Sequence, residues 1–186
     1  TRINQIKKLA KRIERASGLS TNIELVPMAR KLGGNGPIMC HAMQNAGVSA
    51  TYIGTLGYPE LDPIFLDFSE KTKVYTLGSP GYTDALEFDD GKLILGKMSS
   101  LKEIDYQRLI GCVGKDKLME LLEEADLLGM VNWSMLPKMT EIWQALLEDI
   151  KDLPVREEKP FLFVDLADPE KREVEELAEA LNLLKN

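Results

Sequence analysis

The residues best suited to chemistry in this chain are Gly33, Gly34 and Asn35, because they stand immediately before a short apolar stretch that runs from Pro37 to Ala46 and stops at Gly47. Both glycines allow close backbone approach and positive φ, and the first N–H groups of a helix starting there have no intrahelical acceptor. Asn35 adds an amide that both donates and accepts. A polyhydroxylated molecule needs donors and acceptors arranged around it rather than net positive charge, so a sugar suits this loop at least as well as a phosphate. Asn132 and Asp165 each fall at the C-terminal end of a predicted parallel strand, where open α/β sheets place their ligands. For Asp168, followed by Pro169, the spacing favours a helix N-cap worth about 1 kcal/mol over a ligand role.

Other candidates have a structural reading. Gly111-Cys112-Val113-Gly114-Lys115-Asp116 has only part of a phosphate-loop pattern: its glycines are separated by two residues, and Asp116 stands where a magnesium-binding Ser or Thr belongs. It reads as a loop and helix start. Asp89-Asp90 belongs to a turn and Glu123-Glu124 to a helix surface, so neither is a candidate base. His41, the single histidine, lies inside the apolar helix and is expected to be a core or boundary residue. Cys40 and Cys112 are too few for a disulfide framework and lack zinc spacing, so reduced thiols, a cytoplasmic location and no metal site are expected. The sequon Asn132-Trp133-Ser134 has no secretory context.

The elements that must hold these residues follow from composition and periodicity. With 44% apolar and 28% charged positions, 186 residues can bury one substantial core and carry a small appendage. A net charge of −7 argues against a nucleic-acid or anionic-membrane partner. Lys7, Lys8, Lys11, Arg12 and Arg15 fit the solvated side of an amphipathic helix whose apolar side is Ile3, Ile6, Ala10 and Ile13. Further on, helices over 115–125 and 137–151 alternate with strands over 127–131 and 161–164, and Val174, Leu177, Ala178, Leu181 and Leu184 mark one face of a last helix. Strands alternating with helices predict an α/β fold, a parallel sheet flanked by helices over 1–71 and 99–186, incomplete as a doubly wound domain. Residues 72–98 break the alternation: Lys73–Leu77, Asp84–Phe88 and Lys92–Lys97 are short β runs, the last two joined by Asp89-Asp90-Gly91. They predict a small β lid, an edge hairpin or a homodimer contact.

Gly33-Gly34-Asn35, Gly47 after eleven intervening residues, the strand Val48–Ile53 and Gly54-Thr55-Leu56-Gly57 together resemble the N-terminal signature of the PfkB/ribokinase family of carbohydrate kinases. Val164-Asp165-Leu166-Ala167-Asp168-Pro169-Glu170-Lys171-Arg172 is similar to the family's strand ending in Asp, with acidic, Pro and Arg residues near the substrate. The resemblance covers residues 22–186 in order. It implies a ribokinase-like fold with a β lid, ATP and magnesium, and transfer of phosphate to a sugar or nucleoside hydroxyl. It adds Arg172 to the substrate-binding set Gly34, Asn35, Asn132 and Asp165. Two departures stand out. Ile38 replaces a second family Asn, which predicts a more apolar pocket on that side. The catalytic signature Gly-Ala-Gly-Asp is absent from the 186 residues, as is the opening strand with its Asp, so no catalytic residue is assigned and no ATP or magnesium site is evident. A chain beginning at Thr1 and ending in Leu183-Leu184-Lys185-Asn186 reads as the sugar-binding piece of a longer kinase. The alternative is a non-catalytic carbohydrate-binding or assembly module. A dinucleotide-binding domain is disfavoured, since no Gly-x-Gly-x-x-Gly follows a strand.

Overall fold

The computed structural model describes residues 2–185. In chain order its elements are α1 (Ile6–Glu14), α2 (Asn35–Asn45), β1 (Thr51–Gly54), α3 (Leu66–Lys71), β2 (Lys73–Thr76), β3 (Tyr82–Phe88), β4 (Gly91–Lys97), α4 (Tyr106–Val113), α5 (Lys115–Glu124), β5 (Leu127–Met130), α6 (Met139–Asp149), β6 (Phe161–Val164) and α7 (Val174–Leu183), with short 3₁₀ turns between several of them. They fall into two compact units, the residues up to Lys31 with Gly81–Lys97, and Leu32–Pro80 with the residues from Met98 onward. No helix among the described residues is long and apolar enough to cross a membrane.

The smaller unit is α1 and the antiparallel hairpin β3–β4, whose register runs from Tyr82↔Lys97 to Phe88↔Gly91. Asp89 and Asp90 make the turn and also bind the start of α1: Asp90 Oδ1 accepts from Ile6 N at 2.9 Å, and Asp89 N donates to Asn4 O at 2.8 Å. A carboxylate at a helix N-terminus satisfies an orphan donor and complements the helix dipole. Lys7, Lys8, Lys11, Arg12 and Arg15 are exposed, but so are Ala10 and Ile13 of the expected apolar side, and the buried residue of α1 is Leu9.

The larger unit is α/β, with small parallel sheets flanked by helices. β1 pairs with β2 from Thr51↔Lys73 to Gly54↔Thr76, and β5 pairs with β6 from Leu127↔Phe161 to Met130↔Val164. The expected sheet is therefore realised as two separate four-residue pairs. The run beginning at Lys73 belongs here rather than to a meander, because Leu77 N extends the ladder to Gly54 O at 2.8 Å while Val74 and Tyr75 pack on the α/β core. The antiparallel segment accordingly narrows to 82–97 and groups with the N-terminal residues.

Three apolar clusters hold this unit. Leu109, Val113, Leu118, Ile142 and Leu146 join α4, α5 and α6; Cys40, Leu56, Phe65 and Phe68 join α2, the segment after β1 and α3; Trp133, Trp143 and Ala180 join α6 and α7. The stripe on α6 is core, with Trp143 1% exposed. On α7 Ala180 is buried and Leu177 and the following Leu184 are partly buried, whereas Val174, Ala178 and Leu181 are exposed. The small Ala180 lets α7 approach the two indoles, which turns the helix away from the expected stripe.

Candidate functional site

Gly34 is the N-cap of α2 at φ 93°, a conformation that disfavours any residue with a Cβ, whereas Gly33 has an ordinary φ. The turn aims Asn35 at the end of β6. Its side-chain Nδ2 donates to Asp165 Oδ2 at 2.7 Å, across 130 residues of sequence. The same carboxylate oxygen accepts from Asn132 N at 3.3 Å, and Asp165 Oδ1 accepts from Ala167 N at 2.7 Å. Gly34, Asn35, Asn132 and Asp165 are thus brought to one polar point, where the N-terminus of α2 meets the C-terminal ends of two paired parallel strands.

The local sequence explains the convergence. Asn132 at φ 67° and Ala167 at φ 58° both adopt left-handed backbone, which turns their N–H groups onto the carboxylate. Trp133 N donates to Asp165 O at 3.2 Å and Ser134 N to Leu166 O at 3.3 Å, so the segments leaving β5 and β6 stay zipped past their last ladder residues. Gly129 lets α2 lie close to β5, since a Cβ there would stand 3.1 Å from Met39 Cε.

Electrostatically the point is an anchored carboxylate. Burial pushes Asp165 up, but the Asn35 amide and the backbone N–H groups of Ala167 and Asn132 hold its carboxyl below the ordinary value. It is ionised at neutral pH and suited to accepting from a hydroxyl. Asn35 keeps a carbonyl oxygen and a second N–H able to complete such a contact.

Arg172 lies in a different set of contacts. Nε and Nη2 make a bidentate pair with Glu176, each at 2.9 Å, Nη1 donates to the carbonyls of Trp133 and Leu136 at 3.4 Å, and Nη2 donates to Pro137 O at 3.0 Å. Those bonds engage all five guanidinium donors, and the group stacks 4.5 Å from the Trp133 ring. Arg172 clamps the 133–137 turn that follows Asn132.

Two expectations change in detail. Asp168 stands at the N-cap position of a 3₁₀ turn, Pro169–Lys171, but makes no cap hydrogen bond with its side chain; α7 begins at Val174, where Glu173 and Glu176 form a capping box. Asp168 pairs instead with Lys171 at 2.8 Å. His41 is exposed on α2 rather than in the core or at its boundary, because the buried side of that helix is Gly36, Pro37 and Cys40. Ile38 is 55% exposed in the first turns of α2, so it is not turned into the helix core. Sequence reasoning missed Ala167 and Ser134. The hydroxyl of Ser134 accepts from Asp168 N at 3.1 Å, and only its place in Asn132-Trp133-Ser134 marked it.

A family model of prokaryotic ketohexokinase matches residues 1–186. The ketohexokinase of Haloferax volcanii is 35% identical over 131 residues, which cover 70% of this chain and 35% of that protein. The chain thus spans about a third of the length of the curated relative it matches. No solved structure matches it. The chain belongs to the prokaryotic ketohexokinase family, whose members are PfkB-type carbohydrate kinases.

Proposed function

We propose that this chain supplies the sugar-binding portion of an ATP-dependent ketohexose kinase, with a ribokinase-like fold, and that Gly34, Asn35, Asn132 and Asp165 form its hydroxyl-recognising point. The observation that carries the reading is the Asn35–Asp165 hydrogen bond, which joins a glycine-led helix start to the end of a parallel strand. In this reading a sugar hydroxyl donates to Asp165 and accepts from Asn35, while the Asn132 and Ala167 N–H groups keep the carboxylate ionised and fixed. Asp165 orients the hydroxyl rather than deprotonating it, since a carboxyl held below its ordinary value is a weak base. Arg172 serves the site from behind, through the turn it clamps.

The family implies ATP and magnesium. Gly111–Asp116, which carries part of a phosphate-loop pattern, is the junction of α4 and α5, with Lys115 paired to Asp149 at 2.6 Å, and among the described residues no group of three or more His, Cys, Asp and Glu could hold a metal ion by itself. In the main reading phosphoryl transfer belongs to the whole kinase, and this chain by itself is expected to bind without turnover. The second reading is a carbohydrate-binding or assembly module. For the 82–97 hairpin we propose the part of a lid or of a homodimer contact; light scattering on the eluting chain decides the latter.

Isothermal titration with D-fructose tests the main reading. Binding by the chain, weakened at least about tenfold in Asn35→Ala at an unchanged melting temperature, is the expected result. Equal affinity in both proteins would overturn it. ATP-dependent transfer of phosphate to fructose by this chain would refute the assignment of chemistry to residues outside it.

A further inference from the structure

Two glycines on different elements are pressed against a single aromatic ring. A Cβ on Gly36, in the first turn of α2, would stand 2.5 Å from Tyr52 Cε2 and 3.2 Å from its Cζ. A Cβ on Gly54, the last residue of β1, would stand 2.6 Å from Cζ and 2.7 Å from Cε1 of the same ring. Tyr52 and Gly54 are two apart on one strand and share a face, so the ring lies along β1 and reaches across to α2. It cannot swing aside cheaply: Phe68 meets it edge-on at 5.7 Å, and Cys40, Leu56 and Phe65 complete the cluster on which it packs. Burial, with Cys40 nearby, pushes its phenol well up, so the ring is neutral.

We infer that Tyr52 is a positioning residue, a spacer between Gly36 and Gly54 that sets the first turn of α2 and so the reach of Asn35 to Asp165. The functional half of this inference rests on the sugar-site reading; the positional half does not. Asn35 is the neighbour of Gly36, and a recognition site tolerates displacements of only about 0.5 Å.

The test exploits a sign. In a helix, Gly→Ala is favourable by propensity alone, so a harmful Gly36→Ala reports the ring. In the whole chain, Gly36→Ala is expected to shift the Asn35 side-chain amide resonances in ¹⁵N spectra without any ligand, and to weaken D-fructose binding about tenfold. Adding Tyr52→Leu to Gly36→Ala should return both readouts toward wild type. Gly54→Ala, which meets the ring from the strand side, should move the same resonances and serves should Gly36→Ala fold poorly. Unmoved Asn35 resonances in both glycine variants, or no recovery in the double variant, would overturn the inference. Moved and rescued resonances in a chain that binds no fructose would uphold Tyr52 as a spacer and remove the sugar-site reading.

Discussion

Two helices in this chain start from glycines of nearly the same backbone conformation. Gly34 leads α2 at φ 93° and ψ 140°, and Gly114 leads α5 at φ 86° and ψ 135°. Each is followed by a polar residue that reaches an aspartate. Asn35 meets Asp165, at the end of a parallel strand pair and held by two further backbone N–H groups. Lys115 meets Asp149, at the end of α6, whose other carboxylate oxygen accepts from the Tyr106 hydroxyl. The second contact is a neutralised tie between α4, α5 and α6. The first leaves an ionised acceptor beside an amide with spare donors and acceptors. Local glycine geometry therefore does not distinguish the proposed binding loop from a helix junction; the difference lies in what the topology brings opposite the helix start.

That comparison can be broken most directly at Asp165. Asp165→Ala strips the acceptor from Asn35, Asn132 and Ala167 together, and a charged hydrogen-bonding group of this kind is worth about 2 kcal/mol or more. D-fructose binding should be lost and the melting temperature lowered; an unchanged isotherm would remove the carboxylate from the site. A smaller and more discriminating effect is expected from the glycines. Gly34→Ala and Gly114→Ala each force a Cβ into left-handed backbone at about 1–2 kcal/mol; the Cβ would meet only the Pro37 ring, with Cδ at an ordinary 3.5 Å, in the first and open space in the second. The two variants should melt at similarly lowered temperatures while only Gly34→Ala weakens fructose binding. Equal loss of binding would mean that stability, not position, governs the site. Smaller still is Lys115→Met, which should leave fructose affinity untouched, since its ammonium is exposed and ties helices alone.

The sequence carried the family and the local pieces of this comparison, but not the partners. Gly34 and Asn35 stood out as candidates because a glycine pair leads straight into an apolar run, and Asn132 and Asp165 because open α/β sheets place their ligands at strand ends. Their meeting was not legible, since a hydrogen bond spanning 130 residues leaves no periodic trace. Lys73–Thr76 shows the same limit: a four-residue run reads equally as a hairpin arm or a parallel strand until its neighbour is known. Arg172 was placed near substrate by resemblance, whereas its five donors close on Glu176 and the 133–137 carbonyls. A sequence shows the donors but not which acceptors the turn will present.

Titration offers the finest separation of the two junctions. At Asp165, burial raises the carboxyl, and the hydrogen bonds from Asn35, Ala167 and Asn132 lower it further than burial lifts it. Its folded value therefore lies below its unfolded one, so its contribution to stability is present above the unfolded carboxylate range and is lost as pH falls through the folded value. Asn35→Ala removes one of the three lowering bonds, which should move the Asp165 ¹³C carboxyl titration toward higher pH and start the acid loss of stability earlier. Asp149 is also held low, by Lys115 first and then by the Tyr106 hydroxyl. Its curve should ignore Asn35→Ala and rise in Lys115→Met. A shift of both carboxyls in either variant would mean that the two junctions are coupled, and the contrast between the proposed binding loop and a helix tie would have to be given up.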